Sequence, residues 1–251
     1  MTLKPLATIS SLEQRLAITY ETYKHEHPLT KKFPSDEMFQ KDTHHSNPAT
    51  IKPVFRRQTL ITDAETKDFC ENPETKQVFD SIKHNFPKLQ KAIYNWSQVG
   101  YAYARNLQQG KKYIKGFDGK KLTMPTWGVD MGKEILAAFD AHFNELPSYS
   151  GPLVRDLPIE RDAALAQFKK GDSFELNAHS SFTALSGYNT SGIPRTVRII
   201  VEKNSKGKAV WGLSTMVEEV EVIVPKGQKY RIKNVEESDV SPYVKVYVEE
   251  I

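Results

Sequence analysis

Only one cysteine, Cys70, stands in the 251 residues. That rules out an intramolecular disulfide and any multi-cysteine metal cluster. No stretch approaches the roughly 18 apolar residues a membrane span needs. The amino terminus, Met1 to Ile9, has one lysine but no sustained apolar segment, so it is a poor secretion leader. Neither a P-loop nor a GxGxxG spacing occurs, which argues against a Rossmann-type nucleotide site, and no internal repeat is visible. Charge of one sign is also lacking: 35 Lys and Arg against 31 Asp and Glu leave a formal +4, too little to argue for nucleic acid. His44-His45 sits in a polar passage with no acid or histidine at ligand spacing, so no metal is expected.

The chain is long enough to bury a substantial core as one large domain or a domain plus an extension. Residues 1–75 differ from the rest: a helix is expected over Leu12 to Tyr23, followed by a Pro-, Lys- and His-rich irregular passage from His25 to Pro53. From residue 76 the pattern tightens. Pro87 suits a helix first turn, with Leu89, Ile93 and Trp96 at i, i+4 and i+7, and a second helical passage runs from Gln98 to Leu107, stopping before Gly110. Lys133 to Leu146 has an apolar stripe of Ile135, Leu136, Phe139, Phe143 and Leu146. Gly151 to Arg155 reads as a strand, Pro158 opens a helix closed by Gly171, and seven short strands follow, at residues 173–176, 180–183, 195–202, 208–213, 217–224, 229–235 and 243–248. Helices first and many short strands afterwards predict an α+β fold rather than alternating βαβ units.

The run from Val217 to Pro225 holds two carboxylates at i and i+2. On one strand, Glu219, Glu221 and Ile223 would share a face, with Val220, Val222 and Val224 on the other. A close acid pair can divide labour, one stabilising a developing cation while the other handles a proton. Glutamates on a solvated edge strand are the plain alternative.

Three features then stand in order: Arg155 at a strand end, the Ser181-Phe182-Thr183 strand preceded by Ser180, and Glu219-x-Glu221. This order resembles the mono-ADP-ribosyltransferase toxins of the Arg–Ser–Glu-x-Glu class. Glu221-Val222-Ile223-Val224-Pro225 is similar to that family's E-V-L-hydrophobic-P segment. Phe168 to Gly171, Ala92 to Trp96, Gly100-Tyr101 and Arg105-Asn106-Leu107 also look like family positions, so the resemblance covers roughly residues 85–240. Two departures stand out. The serine motif is not Ser-Thr-Ser, leaving Ser180 or Ser181 as the functional serine, with Ser181 preferred because it keeps Ser-x-Thr on one face. Val154 replaces the aromatic residue that many members carry before the arginine.

The resemblance implies the ADP-ribosyltransferase fold: two packed, mostly antiparallel β-sheets forming an NAD cleft, with helices in the N-terminal half. It divides the chain into a 1–75 extension, helical and irregular and packed on the core, and a 76–251 catalytic domain. The implied reaction cleaves the nicotinamide–ribose bond of NAD, which is a substrate, without a metal. Glu221 would stabilise the oxocarbenium-like state and hold the ribose 2′-hydroxyl; Arg155 would hold the pyrophosphate; Ser181 would fix the glutamate, and Ser181 and Thr183 are both implied as NAD-binding residues. Glu at position 219 goes with arginine acceptors in the family. Tyr188 and Arg195, in the Gly/Ser/Asn-rich loop after the serine strand, are candidates for stacking on NAD and for reaching its phosphate. Trp211 reads equally as a target contact or as a buried residue.

The leading expectation is therefore a monomeric protein-arginine ADP-ribosyltransferase with NAD glycohydrolase side activity. It would be a secreted or delivered effector that acts in a target-cell cytoplasm on a protein with an accessible arginine, with no nucleic acid or membrane partner. A catalytically silent module that keeps the fold is one rival. ADP-ribosyl transfer to nucleic acid is another, and the near-neutral charge speaks against it. All of this requires Arg155, Ser181, Glu219 and Glu221 to converge on one dinucleotide-sized cleft.

Overall fold

The structure is a computed structural model that describes residues 54–115, 121–187, 197–237 and 243–251. The expected helix over Leu12 to Tyr23, the passage from His25 to Pro53, the His44-His45 pair, Tyr188 and Arg195 lie outside the described residues.

Local signals explain the helices. Helix α1 (Asp63–Glu71) follows Thr62, whose amide donates to the Glu65 carboxylate at 2.9 Å, the return half of a capping box. Helix α2 (Pro73–Asn85) opens with proline, and the Asn72 side chain accepts the amides of Glu74 and Thr75. Residues 75 and 76 are both inside this helix, so the division drawn there from sequence cuts an element. Helix α3 (Pro87–Asn95) starts at Pro87 as expected, but the next helical passage is not separate. A five-residue π turn, Trp96–Gly100, carries the coil straight into α4 (Tyr101–Gln108). Gly110, at φ 69°, stands just beyond its end. Helix α5 (Thr126–His142) begins well before Lys133 and packs against α3 and α4; helix α6 (Arg161–Gln167) lies beyond Pro158.

The strands are β1 (Val54–Arg56), β2 (Tyr113–Lys115), β3 (Lys121–Thr123), β4 (Ser148–Leu157), β5 (Ser173–Glu175), β6 (Ser180–Thr183), β7 (Val197–Asn204), β8 (Lys208–Ala209), β9 (Glu221–Val224), β10 (Lys229–Glu236) and β11 (Val244–Glu250). The fold is α+β, with α1 to α4 in the N-terminal half, α5 running on from the midpoint of the chain and α6 beyond it. Strands β2 and β3 form a separate hairpin; the other nine run in the order β5-β10-β11-β7-β4-β6-β9-β8, with β1 added alongside β4. Among the described strands the parallel pairs are β1–β4 and β11–β7, and the isolated bridge Ile61↔Leu185 is parallel too.

The two expected sheets are halves of one hydrogen-bonded array that meet on β4. Its C-terminal half pairs β7 from Leu153 to Leu157, whereas it touches β6 only at Val154↔Thr183 and β8 only at Ser148↔Lys208. Beyond Val154 the β6-β9-β8 half has parted from β4, which is where the fold can open a cleft.

Residues 54–79 are built into the main core. Ile61 bridges to Leu185, and Phe55, Phe69 and Phe79 surround the Trp211 ring at centroid distances of 4.9, 5.3 and 5.4 Å. Such aromatic pairs contribute roughly 0.5–1.5 kcal/mol each beyond the area they bury. Trp211 is fully buried on a short 3₁₀ turn, so it packs the core and does not face a target.

Candidate active site around Glu221

Glu221 opens β9 opposite Thr183 on β6, and the antiparallel register puts Glu221, Thr183 and Ser181 on one face of the pair. Ser181 Oγ donates to Glu221 Oε1 at 2.5 Å. The indole Nε1–H of Trp96, in the π turn, donates to the same oxygen at 3.0 Å and lies 3.1 Å from Ser181 Oγ. Of the two serines, Ser181 is thus the one on the acid; the Ser180 hydroxyl bonds the Ala178 carbonyl instead. Glu221 is only 6% exposed. Burial pushes its pKa from 4.5 up to about 7, the bonds from Ser181 and Trp96 pull against that rise, and the neighbouring Glu219 charge adds to it.

The two acids do not share a strand, contrary to the reading from their spacing. Val217–Glu219 is a 3₁₀ turn, and Val220 between the acids sits at φ 42° in the left-handed region. A β-branched residue there stores roughly 1–3 kcal/mol of strain. It persists because Val220 is fully buried and because the turn is tied down. Thr183 Oγ1 donates to the Glu219 carbonyl at 2.6 Å and accepts the Leu185 amide at 3.0 Å. Thr183 is therefore a clasp on the turn, and its hydroxyl is already committed. From the opposite side, Ser97 in the π turn accepts the Thr215 amide at 3.1 Å. Glu221 ends up dry while Glu219 is half-exposed at the turn.

Arg155 stands elsewhere. Val154 is the residue that pairs with Thr183, so its neighbour Arg155 projects to the other face, with its guanidinium 5.5 Å from the centroid of the Phe182 ring. There it lines a hollow of about 500 Å³ together with Arg105, Asn177, Ser180 and Phe182. Glu219, Glu221 and Ser181 are not among the described residues that line this hollow. The structure thus joins Ser181, Thr183, Glu219 and Glu221 into one cluster and places Arg155 in a hollow behind the same strand pair, so the four residues expected to converge on one cleft do not line a single hollow among the described residues. The volume is within the usual range for ligand sites.

Arg105 was not singled out as a site residue from sequence, although its stretch was noted among the family-like positions. Its Nε is buried with no hydrogen-bond partner, and burial lowers its pKa. Two arginines that line one hollow suit an anionic group such as a pyrophosphate. The available signal was a cation directly after the buried helical run Ala102–Ala104. Trp96 was also missed as a site residue, because a tryptophan at helical spacing reads as core. Among the described residues no group of three or more His, Cys, Asp or Glu could hold a metal ion, and no helix is long and apolar enough to cross a membrane.

Residues 156–251 match the family model described as ADP-ribosyltransferase exoenzyme. That match spans the C-terminal 96 of the 251 residues, so this part of the chain is similar to the ADP-ribosyltransferase exoenzymes. The activity that goes with this family is NAD-dependent ADP-ribosyl transfer, with NAD as substrate. Solved ADP-ribosyltransferase structures share the fold. Vis of Vibrio splendidus, in complex with an inhibitor, is 21% identical over 75% of this chain and 83% of its own, with a TM-score of 0.50. Plx2a of Paenibacillus larvae is 15% identical over 75% and 96%, with a TM-score of 0.52. C3stau2 of S. aureus, solved with NAD, is 17% identical over 78% and 99%, also with a TM-score of 0.52. At these identities the likeness is one of fold. No curated protein matches the chain by sequence.

Proposed function

We propose that the protein transfers ADP-ribose from NAD to an arginine side chain of a target protein, with NAD hydrolysis as a side activity. The observation that carries this reading is the pair of acids held in two environments: Glu221 dry and fixed by two donors, Glu219 half-exposed on a clasped turn one residue away.

In this reading Arg105 and Arg155 hold the pyrophosphate, leaving the nicotinamide ribose to reach Glu221. The bond between the ribose C1′ and nicotinamide breaks, and nicotinamide departs neutral with the electron pair. The Glu221 carboxylate faces the positive charge left on the ribose, and in a water-poor site that attraction is worth far more than in bulk solvent. An acceptor guanidinium is protonated below a pKa of about 12 and is a poor nucleophile. Glu219 takes its proton as the nitrogen attacks C1′, so the transferred group leaves one proton on the carboxyl. Met216 and Val217, both exposed on the same turn, give the target an apolar edge beside Glu219. The role as a toxin or effector delivered into a target cell belongs to the same proposal.

Incubation with labelled NAD and agmatine tests it. Wild type should release nicotinamide and label agmatine; Glu221→Ala should lose both activities. Glu219→Ala should lose labelling by about 100-fold or more while still hydrolysing NAD. No nicotinamide release by wild type would favour a silent module, and equal loss of both activities in Glu219→Ala would remove the division of labour.

A further inference from the structure

We propose that Trp96 is a positioning residue for Glu221, its indole N–H holding one carboxylate oxygen so that the other is presented to the nicotinamide ribose. This rests on the reading of Glu221 as the acid that faces the ribose.

Both donors to Glu221 end on Oε1: Ser181 Oγ at 2.5 Å and Trp96 Nε1 at 3.0 Å. Oε2 accepts no hydrogen bond from the described residues, nor is it among the buried polar atoms left without a partner. The carboxylate is thus anchored by one oxygen and open at the other. Ser181 alone does not define that geometry, because a hydroxyl on β6 rotates to suit. An indole N–H is fixed in the plane of a ring, and this ring is fully buried against Phe139 at a centroid distance of 5.3 Å.

The backbone at this point is irregular. The Tyr101 amide reaches back to the Trp96 carbonyl, the i→i−5 bond of a π turn, between two stretches of regular α-helix. Such single π turns recur at functional sites because the extra residue re-aims a side chain without ending the helix. Gly100 allows this one to pack: a Cβ there would lie 2.6 Å from the Asn95 carbonyl oxygen and 2.5 Å from Ile135 Cδ1. The same turn carries Ser97, which holds Thr215 at the start of the segment that bears Glu219. One helical irregularity therefore touches the supports of both acids, through two different side chains.

Removing the indole N–H takes a donor from the charged form of Glu221, so its titration must move up from about 7. Glu219 is the charged group acting on Glu221, and it is unchanged by the substitution. The cleanest variant places benzothienylalanine at 96, in which sulfur replaces N–H at the same ring size; Trp96→Phe is the genetic counterpart. Glu221 is followed by infrared titration of its carboxylate, using Glu221→Gln for subtraction, and NAD hydrolysis is measured against pH.

Both variants should raise the Glu221 midpoint and move the acid limb of kcat to higher pH in step. At pH 7, kcat should fall about 10- to 100-fold with KM for NAD nearly unchanged, as expected for loss of a bond to a charged group. Ser97→Ala should leave the midpoint in place. An unmoved midpoint in the benzothienyl protein overturns the positioning role even if the enzyme is active. A shifted midpoint in a protein that releases no nicotinamide supports the Trp96 contact while overturning the enzymatic reading, so the two failures are distinct.

Discussion

The two sides of this site are built on opposite physical plans. The Glu221 side is closed: a nearly buried carboxylate, two donors on one oxygen and a strained valine locked beside it. The Arg105–Arg155 side is open: a hollow of about 500 Å³ lined by two arginines. Closed geometry serves a charge that appears only during bond breaking, because fixed groups need no rearrangement at that moment. Cations lining a hollow serve a charge the ligand already carries, because water there gives way to phosphate oxygens each time it binds. The first side should govern turnover and the second affinity.

Substitutions that separate turnover from affinity test this contrast most directly. Glu221→Ala should lower kcat for nicotinamide release by at least about 100-fold with little change in NAD binding by calorimetry. Arg155→Ala and Arg105→Ala should each raise KM for NAD by about 10- to 100-fold while kcat changes little, each removing hydrogen bonds to a charged group. If both arginine variants lost kcat and kept KM, the two sides would not be functionally distinct.

Stability gives the next largest effect. The folded protein raises the Glu221 pKa from 4.5 to about 7, so the protonated form is favoured on folding. That contribution is fully present below pH 4.5 and lost as pH rises through 7. Glu221→Gln should therefore unfold like wild type near pH 4 and be more stable by about 3 kcal/mol at pH 8, read from urea unfolding at both pH values. A gain of the same size at both would mean that burial of the charge is not the cause.

Thr183→Val should have a smaller effect. It frees the Glu219 carbonyl and the Leu185 amide together, at a cost of about 1–3 kcal/mol, and should impair agmatine labelling more than NAD hydrolysis. The smallest expected change is in wild type itself. NAD brings a positive nicotinamide toward Glu221, so its affinity should rise modestly as pH passes upward through about 7, with proton release detectable by calorimetry in two buffers.

Much of the fold was legible because its signals are local. Ser180–Thr183 is a strand with the bounds its alternation indicated, and Pro87 opens α3 because proline's fixed φ suits a first helical turn. The β-rich second half followed from short apolar runs between turn residues. Other features were not local. Glu219 and Glu221 carry the spacing of strand neighbours, but tertiary contacts from Thr183 and Ser97 hold a turn there and force Val220 into a conformation no propensity would assign it. The opposite facing of Arg155 follows from a register, Val154 against Thr183, that periodicity within either strand does not specify. Residues 54–79 looked set apart because their apolar side chains meet their partners only around Trp211.

By itself the sequence determined which groups are present, in what order, and which strands and helices carry them, since propensity and periodicity act over a few residues. Tertiary structure alone decided that one acid is dry, which of its oxygens is held and where the cations stand. Those properties depend on groups such as Trp96 and Glu221, 125 positions apart, whose meeting is set by packing rather than by local chain preference.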